Sequence, residues 1–151
     1  MAQQAVERES LKEEMSNVVS EARMVIPGAQ ALFGFQTMAV FNQRFEDLPT
    51  SGVICYLAGL GLLALCIALL LAPAAYHRIA QGGEVSPHLL KLSSRLIFVG
   101  MAPLMLSLAL DIYVVCLAAL DDARIATVAA VLAFAVFSWL WFVFPLMRRR
   151  R

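Results

Sequence analysis

The sequence predicts an all-α membrane protein, a bundle of four transmembrane helices preceded by an amphipathic cytoplasmic helix. The chain has 151 residues, of which 61% are apolar and only 15% are charged. Soluble domains average roughly 45–50% apolar and about 25% charged residues. The apolar residues form long runs, and the charged residues cluster at the ends and in short joints. Too few charges remain to cover a water-facing surface, so we expect a lipid bilayer to surround most of the chain.

The first segment, residues 1–25, is polar and is predicted to be the amphipathic cytoplasmic helix. Its apolar residues recur in steps of four and three, which is typical of a helix with one apolar face. They are Leu11, Met15, Val18, Ala22 and Val25. This stripe favours packing on protein, either on the chain's own bundle or on a sister subunit. The alternative is a solvated helix with one apolar edge.

The first transmembrane span is predicted at 26–45 and begins beside Pro27 and Gly28. These two residues either separate two helices or bend a single long one, because proline removes a backbone donor. The span reaches membrane thickness only if it extends to residue 45. Its Gln30 and Gln36 favour a helix that faces protein rather than lipid.

Three further spans are more apolar, and a basic cytoplasmic tail, 148–151, follows the last of them. The spans are predicted at 53–76, 96–120 and 125–147. Pro103 interrupts the third span. In the second, a ridge of small residues four apart favours the close approach of another helix. The ridge consists of Ala64, Ala68 and Ala72.

Several polar and aromatic residues are predicted at the membrane surface. They are Arg23, His77, Arg78, Trp139 and Trp141. The tryptophans near the end of the last span fit an interfacial belt. His77 either caps the carbonyls at a helix end or senses cytoplasmic pH. Glu84 and His88 share its loop, but the spacing matches no metal motif, so we predict no metal site.

The placement of lysine and arginine predicts the orientation. If the amino terminus is cytoplasmic, ten basic residues lie on that side and two lie on the other. The inner set is Arg8, Lys12, Arg23, Arg78, Lys91, Arg95 and Arg148 to Arg151, and the outer set is Arg44 and Arg124. Basic residues favour the cytoplasmic side, so both termini of this multi-pass protein are expected in the cytoplasm.

Several function classes lack support in the sequence. The basic run at the end of the chain abuts an apolar segment, so it indicates a membrane anchor rather than a nucleic-acid site. We find no nucleophile–base pair, no phosphate-binding glycine loop and no HExxH, so we predict neither an enzyme nor a cofactor. Cys55 and Cys116 both belong near the outer face, where they form either a disulfide or two free buried thiols.

Asp111 is an acidic residue within a predicted transmembrane span, where a charged side chain is least expected. At 1.5 Å per residue it lies about 24 Å from Arg95 and about 14 Å from Leu120, within the hydrocarbon. A carboxylate there costs roughly 2.5–3.5 kcal/mol, so it must be protonated, paired or beside water. Asp111 is therefore either the proton- or cation-binding group of a transport path or a hydrogen-bonded anchor between helices. Its possible partners are Gln36, Asn42, Arg44 and Tyr113.

The first span also places two glutamines within the predicted membrane region. Gln30 and Gln36 are six residues apart, about 600° around the helix, so they point to different faces. One of them is predicted to line a cavity while the other bridges helices. The alternative is that both are polar contacts between helices.

Two motifs resemble an uncharacterised family of small bacterial four-span membrane proteins. The first is R-x3-P-G-x-Q-x-L-x2-F-Q, residues 23–36, and the second is A-P-A-A-Y-H-R, residues 72–78. The resemblance covers the first two spans and their flanks. Members of that family are sometimes labelled sodium:proton antiporter, so the resemblance implies a four-span protein of the bacterial inner membrane that handles protons or monovalent cations.

Two functions follow as hypotheses. The first is a small, homo-oligomeric transport or channel component for protons or monovalent cations, with Asp111 as the coupling acid and Gln30 or Gln36 lining the path. The second is a non-catalytic membrane scaffold or accessory subunit that binds a membrane-protein partner through its amino-terminal helix.

Overall fold

The computed structural model describes residues 2–80 and 87–149, and over these ranges the chain is helical apart from short joints. This confirms the all-α fold class. The helices are α1 (Ala2–Ala39), α2 (Gln43–Glu46), α3 (Thr50–Ala80), α4 (Pro87–Leu120), α5 (Ala123–Ser138) and α6 (Phe144–Arg149), with a π-helical turn at Trp139–Val143 between the last two. The side chain of His77, the residue Glu84 and the end of the basic tail at 150–151 lie outside the described residues.

Three helical stretches in the described part of the chain are long and apolar enough to cross a membrane. They are Thr50–Tyr76, Pro87–Leu120 and Ala123–Arg148. Each contains one of the predicted spans 53–76, 96–120 and 125–147. By length and composition, therefore, this is a membrane protein with several apolar helices.

Helix α1 differs from the predicted first span, 26–45. It runs unbroken through Pro27 and ends at Ala39, six residues before the predicted end of the span. Asn42 explains the ending, because its side chain accepts a 3.0 Å hydrogen bond from the Arg44 backbone N–H and starts the short helix α2. The apolar part of α1, residues 26–39, is about 21 Å long, which is shorter than the roughly 30 Å hydrocarbon core.

Helix α4 lies at the centre of the fold, with α3 and α5 packed along it and α1 in contact with α3 and α4. Pro103 is buried within α4 without ending that helix. The core where α1, α3 and α4 meet contains Ala29, Leu63, Cys66, Leu70, Ile97 and Leu104. Val18, Ala22 and Val25 of the amino-terminal apolar stripe pack against this core, so the stripe contacts the chain's own bundle.

The buried face of α3 is not the predicted alanine ridge. Ala64 and Ala68 are exposed and Ala72 is half-buried. The buried side follows Gly59, Leu63 and other residues at steps of three and four, on the opposite face of the helix. Helix α3 approaches α4 closely at Gly59, where an added Cβ would be 3.3 Å from Asp111 Oδ1.

Helix α1 extends along the depth of the bundle. Near one end, Arg23 lines the same groove as Arg78, which follows the last apolar turn of α3. Beyond the other end, the Arg44 guanidinium donates a 3.2 Å hydrogen bond to the Ala118 carbonyl, close to the end of α4. The segment from Arg23 to Arg44 thus reaches from one end of the apolar helices to the other.

Candidate functional site

Four polar side chains meet where α1, α3 and α4 pack together, and we call them the polar cluster. They are Gln36, Tyr56, Ser107 and Asp111. The Gln36 amide nitrogen is the hub, since it donates to Asp111 Oδ1 at 2.5 Å and to Ser107 Oγ at 3.3 Å. The Ser107 hydroxyl in turn donates a 2.9 Å hydrogen bond to the Gly59 carbonyl. The cluster therefore links all three helices within their apolar interior.

Helical spacing brings these groups together. Ser107 and Asp111 are four residues apart, so they lie one turn apart on the same face of α4. Gln36 is seven residues after the buried Ala29 and so lies on the same face of α1. Gly59 has no side chain, so α3 approaches α4 closely enough to accept from Ser107.

Tyr56 supports the end of α1. Its hydroxyl donates to the backbone carbonyl of Gln36. That carbonyl belongs to the last turn of α1, where backbone acceptors lack partners within the helix. The Phe45 ring packs edge-on against the Tyr56 ring, with centroids 4.9 Å apart. The tyrosine therefore fixes the backbone at the residue whose side chain reaches Asp111.

One acceptor of the cluster has no partner. Gln36 Oε1 is buried and makes no hydrogen bond in the described part of the chain. Gln36 as a whole is 8% exposed, so bulk water does not supply the missing donor. A buried unpaired carbonyl costs about 1–3 kcal/mol, so this acceptor favours the binding of a further donor or a cation.

Among the described residues, no basic side chain pairs with the Asp111 carboxyl. Arg44, one of the possible partners named from the sequence, donates to the Ala118 carbonyl instead. Asp111 is half-buried, and its partner is the neutral amide of Gln36. The carboxyl of Asp111, the amide oxygen of Gln36 and the hydroxyl of Ser107 are oxygen groups of the kind that bind a proton or a hard cation. Among the described residues no cluster of three His, Cys, Asp or Glu side chains exists that is suited to a metal ion.

A cavity of about 460 Å³ lies next to the cluster, toward the joint between α1 and α3. It is lined by Tyr56, Arg44, Val114 and Ala118, among others. Tyr56 belongs to both sites, because its ring lines the cavity and its hydroxyl bonds Gln36. On the opposite side, Leu63 and Cys66 are 0% exposed and close the bundle.

The other residues singled out from the sequence lie away from the cluster. Gln30 is exposed, so the structure brings only one of the two glutamines to Asp111. Pro27, Gly28, Arg23 and Arg78 are exposed as well. Trp139 is exposed, whereas Trp141 packs against the core and stacks on Phe137 at 5.4 Å. Cys55, Cys66 and Cys116 are all free thiols.

Sequence reasoning did not single out Tyr56, Gly59 or Ser107. The serine carries a weak signal, since it lies one helical turn before the intramembrane aspartate. The other two carry none, because tyrosine and glycine are ordinary residues of transmembrane helices. Their role depends on which face of α3 meets α4.

Comparison with known proteins gives one assignment. No curated protein and no solved structure matches the chain. A protein-family model matches residues 4–145, which is nearly the whole chain and includes every member of the polar cluster. The chain therefore belongs to the Family of unknown function (DUF6328).

Proposed function

We propose that this chain is a subunit of a small homo-oligomeric membrane transport or channel component that binds a proton or a monovalent cation at Asp111. One observation carries the proposal. The unpaired Gln36 Oε1 and the half-buried Asp111 carboxyl belong to one polar cluster, and no basic side chain among the described residues pairs with them. An acceptor-rich site inside a membrane is costly unless something occupies it, and a proton or small cation fits that chemistry.

A membrane topology with four crossings accompanies this function. The groove that Arg23 shares with Arg78 and the hydrogen bond from Arg44 to Ala118 support a first crossing by α1 and the joint that follows it. The excess of basic residues on one side supports an inner-membrane protein with both termini in the cytoplasm. In this arrangement Asp111 lies in the outer half of the bilayer.

In this proposal, the path through the membrane is formed between several copies of the chain. Leu63 and Cys66 close the interior of the single bundle, so a continuous path requires a second surface. The exposed small residues Ala64 and Ala68 offer a face on which helices of two copies approach closely. Asp111 is half-buried rather than enclosed, which leaves it accessible from the edge of the bundle.

Ion flux into proteoliposomes tests the proposal. We compare the native chain with Asp111→Asn, and Asp121→Asn serves as the matched control. Asp121 is exposed between α4 and α5 at φ 51°, a conformation that asparagine also tolerates. The expected result is flux at the liposome background for Asp111→Asn and native flux for Asp121→Asn.

Two outcomes contradict the proposal. Native flux in Asp111→Asn removes the aspartate from the path. Background flux from the folded native protein under proton, sodium and potassium gradients removes transport altogether. That second result favours the other hypothesis, a scaffold or accessory subunit.

One observation favours the scaffold function. The amino-terminal part of α1 packs Val18, Ala22 and Val25 inward and leaves acidic side chains on its surface, namely Glu9, Glu13, Glu14 and Glu21. Such a face suits a basic partner surface. Replacement of these glutamates by glutamine is expected to abolish crosslinking to that partner if the scaffold function holds, and to leave ion flux unchanged if transport does.

A further inference from the structure

A second site lies at the opposite end of the bundle from the polar cluster. A groove of about 420 Å³ runs between the amino-terminal half of α1 and the facing ends of α3 and α4. That volume falls within the roughly 300–1,000 Å³ of ligand sites. The walls are apolar and include Ile26, Leu70 and Ile97. We call this the basal groove.

Two arginines and one serine are the polar residues that line the basal groove. Arg23 and Arg78 line it and are exposed, so their guanidinium groups are available at the rim. Neither forms an ion pair with an acidic side chain in the part of the chain that the structure describes. Ser93 also lines the groove, is 2% exposed, and its hydroxyl has no hydrogen-bond partner among the described residues.

The level of the groove places it at a membrane surface. Arg78 lies two residues beyond Tyr76, where the apolar span of α3 ends. The apolar walls continue from that level into the span, through Leu70 and Ile97. An occupant therefore has to be anionic at the surface and apolar below it.

We infer that the basal groove binds one anionic phospholipid, with its phosphate between Arg23 and Arg78 and an acyl chain along the apolar walls. Basic pockets between transmembrane helices bind such headgroups, and guanidinium groups bind phosphate oxygens in a bidentate manner. The Ser93 hydroxyl donates to an ester carbonyl of the lipid, which satisfies a buried group that otherwise has no partner. The inference is independent of the proposed transport function, because it uses none of the residues of the polar cluster.

Lipid binding to the full-length detergent-purified protein tests the inference. Native mass spectrometry compares phosphatidylglycerol with phosphatidylcholine of the same acyl chains. We expect the native chain to prefer the anionic lipid by about tenfold, and the double variant Arg23→Gln, Arg78→Gln to lose that preference. Arg124→Gln, an equally exposed arginine at the start of α5, is the matched control and is expected to retain it.

A second variant separates a built site from general attraction of charge. Ala74→Trp fills the groove from its edge without altering any charge, and we expect it to reduce phosphatidylglycerol binding as strongly as the double arginine variant. Inorganic phosphate and glycerophosphoglycerol, the headgroup without chains, are expected not to compete.

The inference is overturned by equal binding of the two lipids or by loss of the preference in Arg124→Gln. Full binding by a folded Ala74→Trp variant also overturns it. Competition by inorganic phosphate at the lipid concentration would identify a free-phosphate site instead of a lipid site. Each readout is a bound mass, so none depends on whether the protein transports an ion.

Discussion

The side-chain amide of Gln36 donates a 2.5 Å hydrogen bond to the carboxyl of Asp111, across 75 residues of sequence. This bond joins the last turn of α1 to the carboxyl-terminal third of α4. It places the most polar residue of the first helix beside the acid that is most out of place in the apolar helices. The stability of the bundle and the proposed ion site therefore depend on the same pair.

The first prediction is an energetic coupling between these two residues. In a double-mutant cycle of Gln36→Leu and Asp111→Leu, each single variant leaves a polar group buried without its partner. We expect a coupling free energy of about 0.6–1.7 kcal/mol, the range found for interhelical hydrogen bonds in membranes. Unfolding in mixed micelles followed by circular dichroism measures it. The exposed Gln30 provides the control, and a cycle of Gln30→Leu with Asp111→Leu is expected to show additive free energies.

The second prediction concerns the close approach at Gly59. A Cβ there would lie 3.3 Å from Asp111 Oδ1 and 3.5 Å from Leu110 Cβ, so Gly59→Val forces α3 away from α4. We expect this variant to lower the free energy of unfolding by about 1–3 kcal/mol and to weaken the Gln36–Asp111 contact. Gly61→Val is the control, because no atom of a neighbouring side chain or helix lies within 4 Å of an added Cβ. Equal stability of the two variants would contradict the observed packing of α3 on α4.

The third prediction tests the closed interior of the bundle. Leu63 is 0% exposed, whereas Leu65 in the same helix is 50% exposed. Leu63→Ala leaves a cavity and is expected to cost about 1–3 kcal/mol, less than in soluble cores because lipid tails are as apolar as leucine. Leu65→Ala is expected to change the free energy of unfolding by less than about 0.5 kcal/mol. Thermal unfolding in detergent compares them, and similar losses for both would indicate that Leu63 is not enclosed.

The fourth prediction concerns topology. In a variant without native cysteines, Asp121→Cys is expected to react with a membrane-impermeant maleimide from outside intact cells. Lys91→Cys is expected to react only after permeabilisation, because basic residues favour the cytoplasmic side. Reporter tags at both termini are expected on the inner side. Tags on opposite sides would mean an odd number of crossings and would exclude α1 as a span.

Much of the fold follows from local composition. The long apolar runs predict three of the helices with small errors at their ends, because a bilayer requires continuous apolar helices of a minimum length. The end of α1 was harder to predict. Apolar residues continue to Phe41, but Asn42 caps a new helix and the chain turns before it. Capping competes with helix propagation, and composition alone does not decide which of them prevails.

The candidate site, like the fold, was predictable from the sequence only in part. The sequence by itself determined that Asp111 lies in an apolar helix and needs a partner, since charge in hydrocarbon is costly wherever the helix packs. It left four partners open. Only the tertiary structure decided for Gln36, added Ser107 to the cluster, and turned Ala64 and Ala68 outward. The physical reason is that burial in a bilayer protein depends on which helix faces meet, and apolar residues occupy the lipid-facing side as readily as the core.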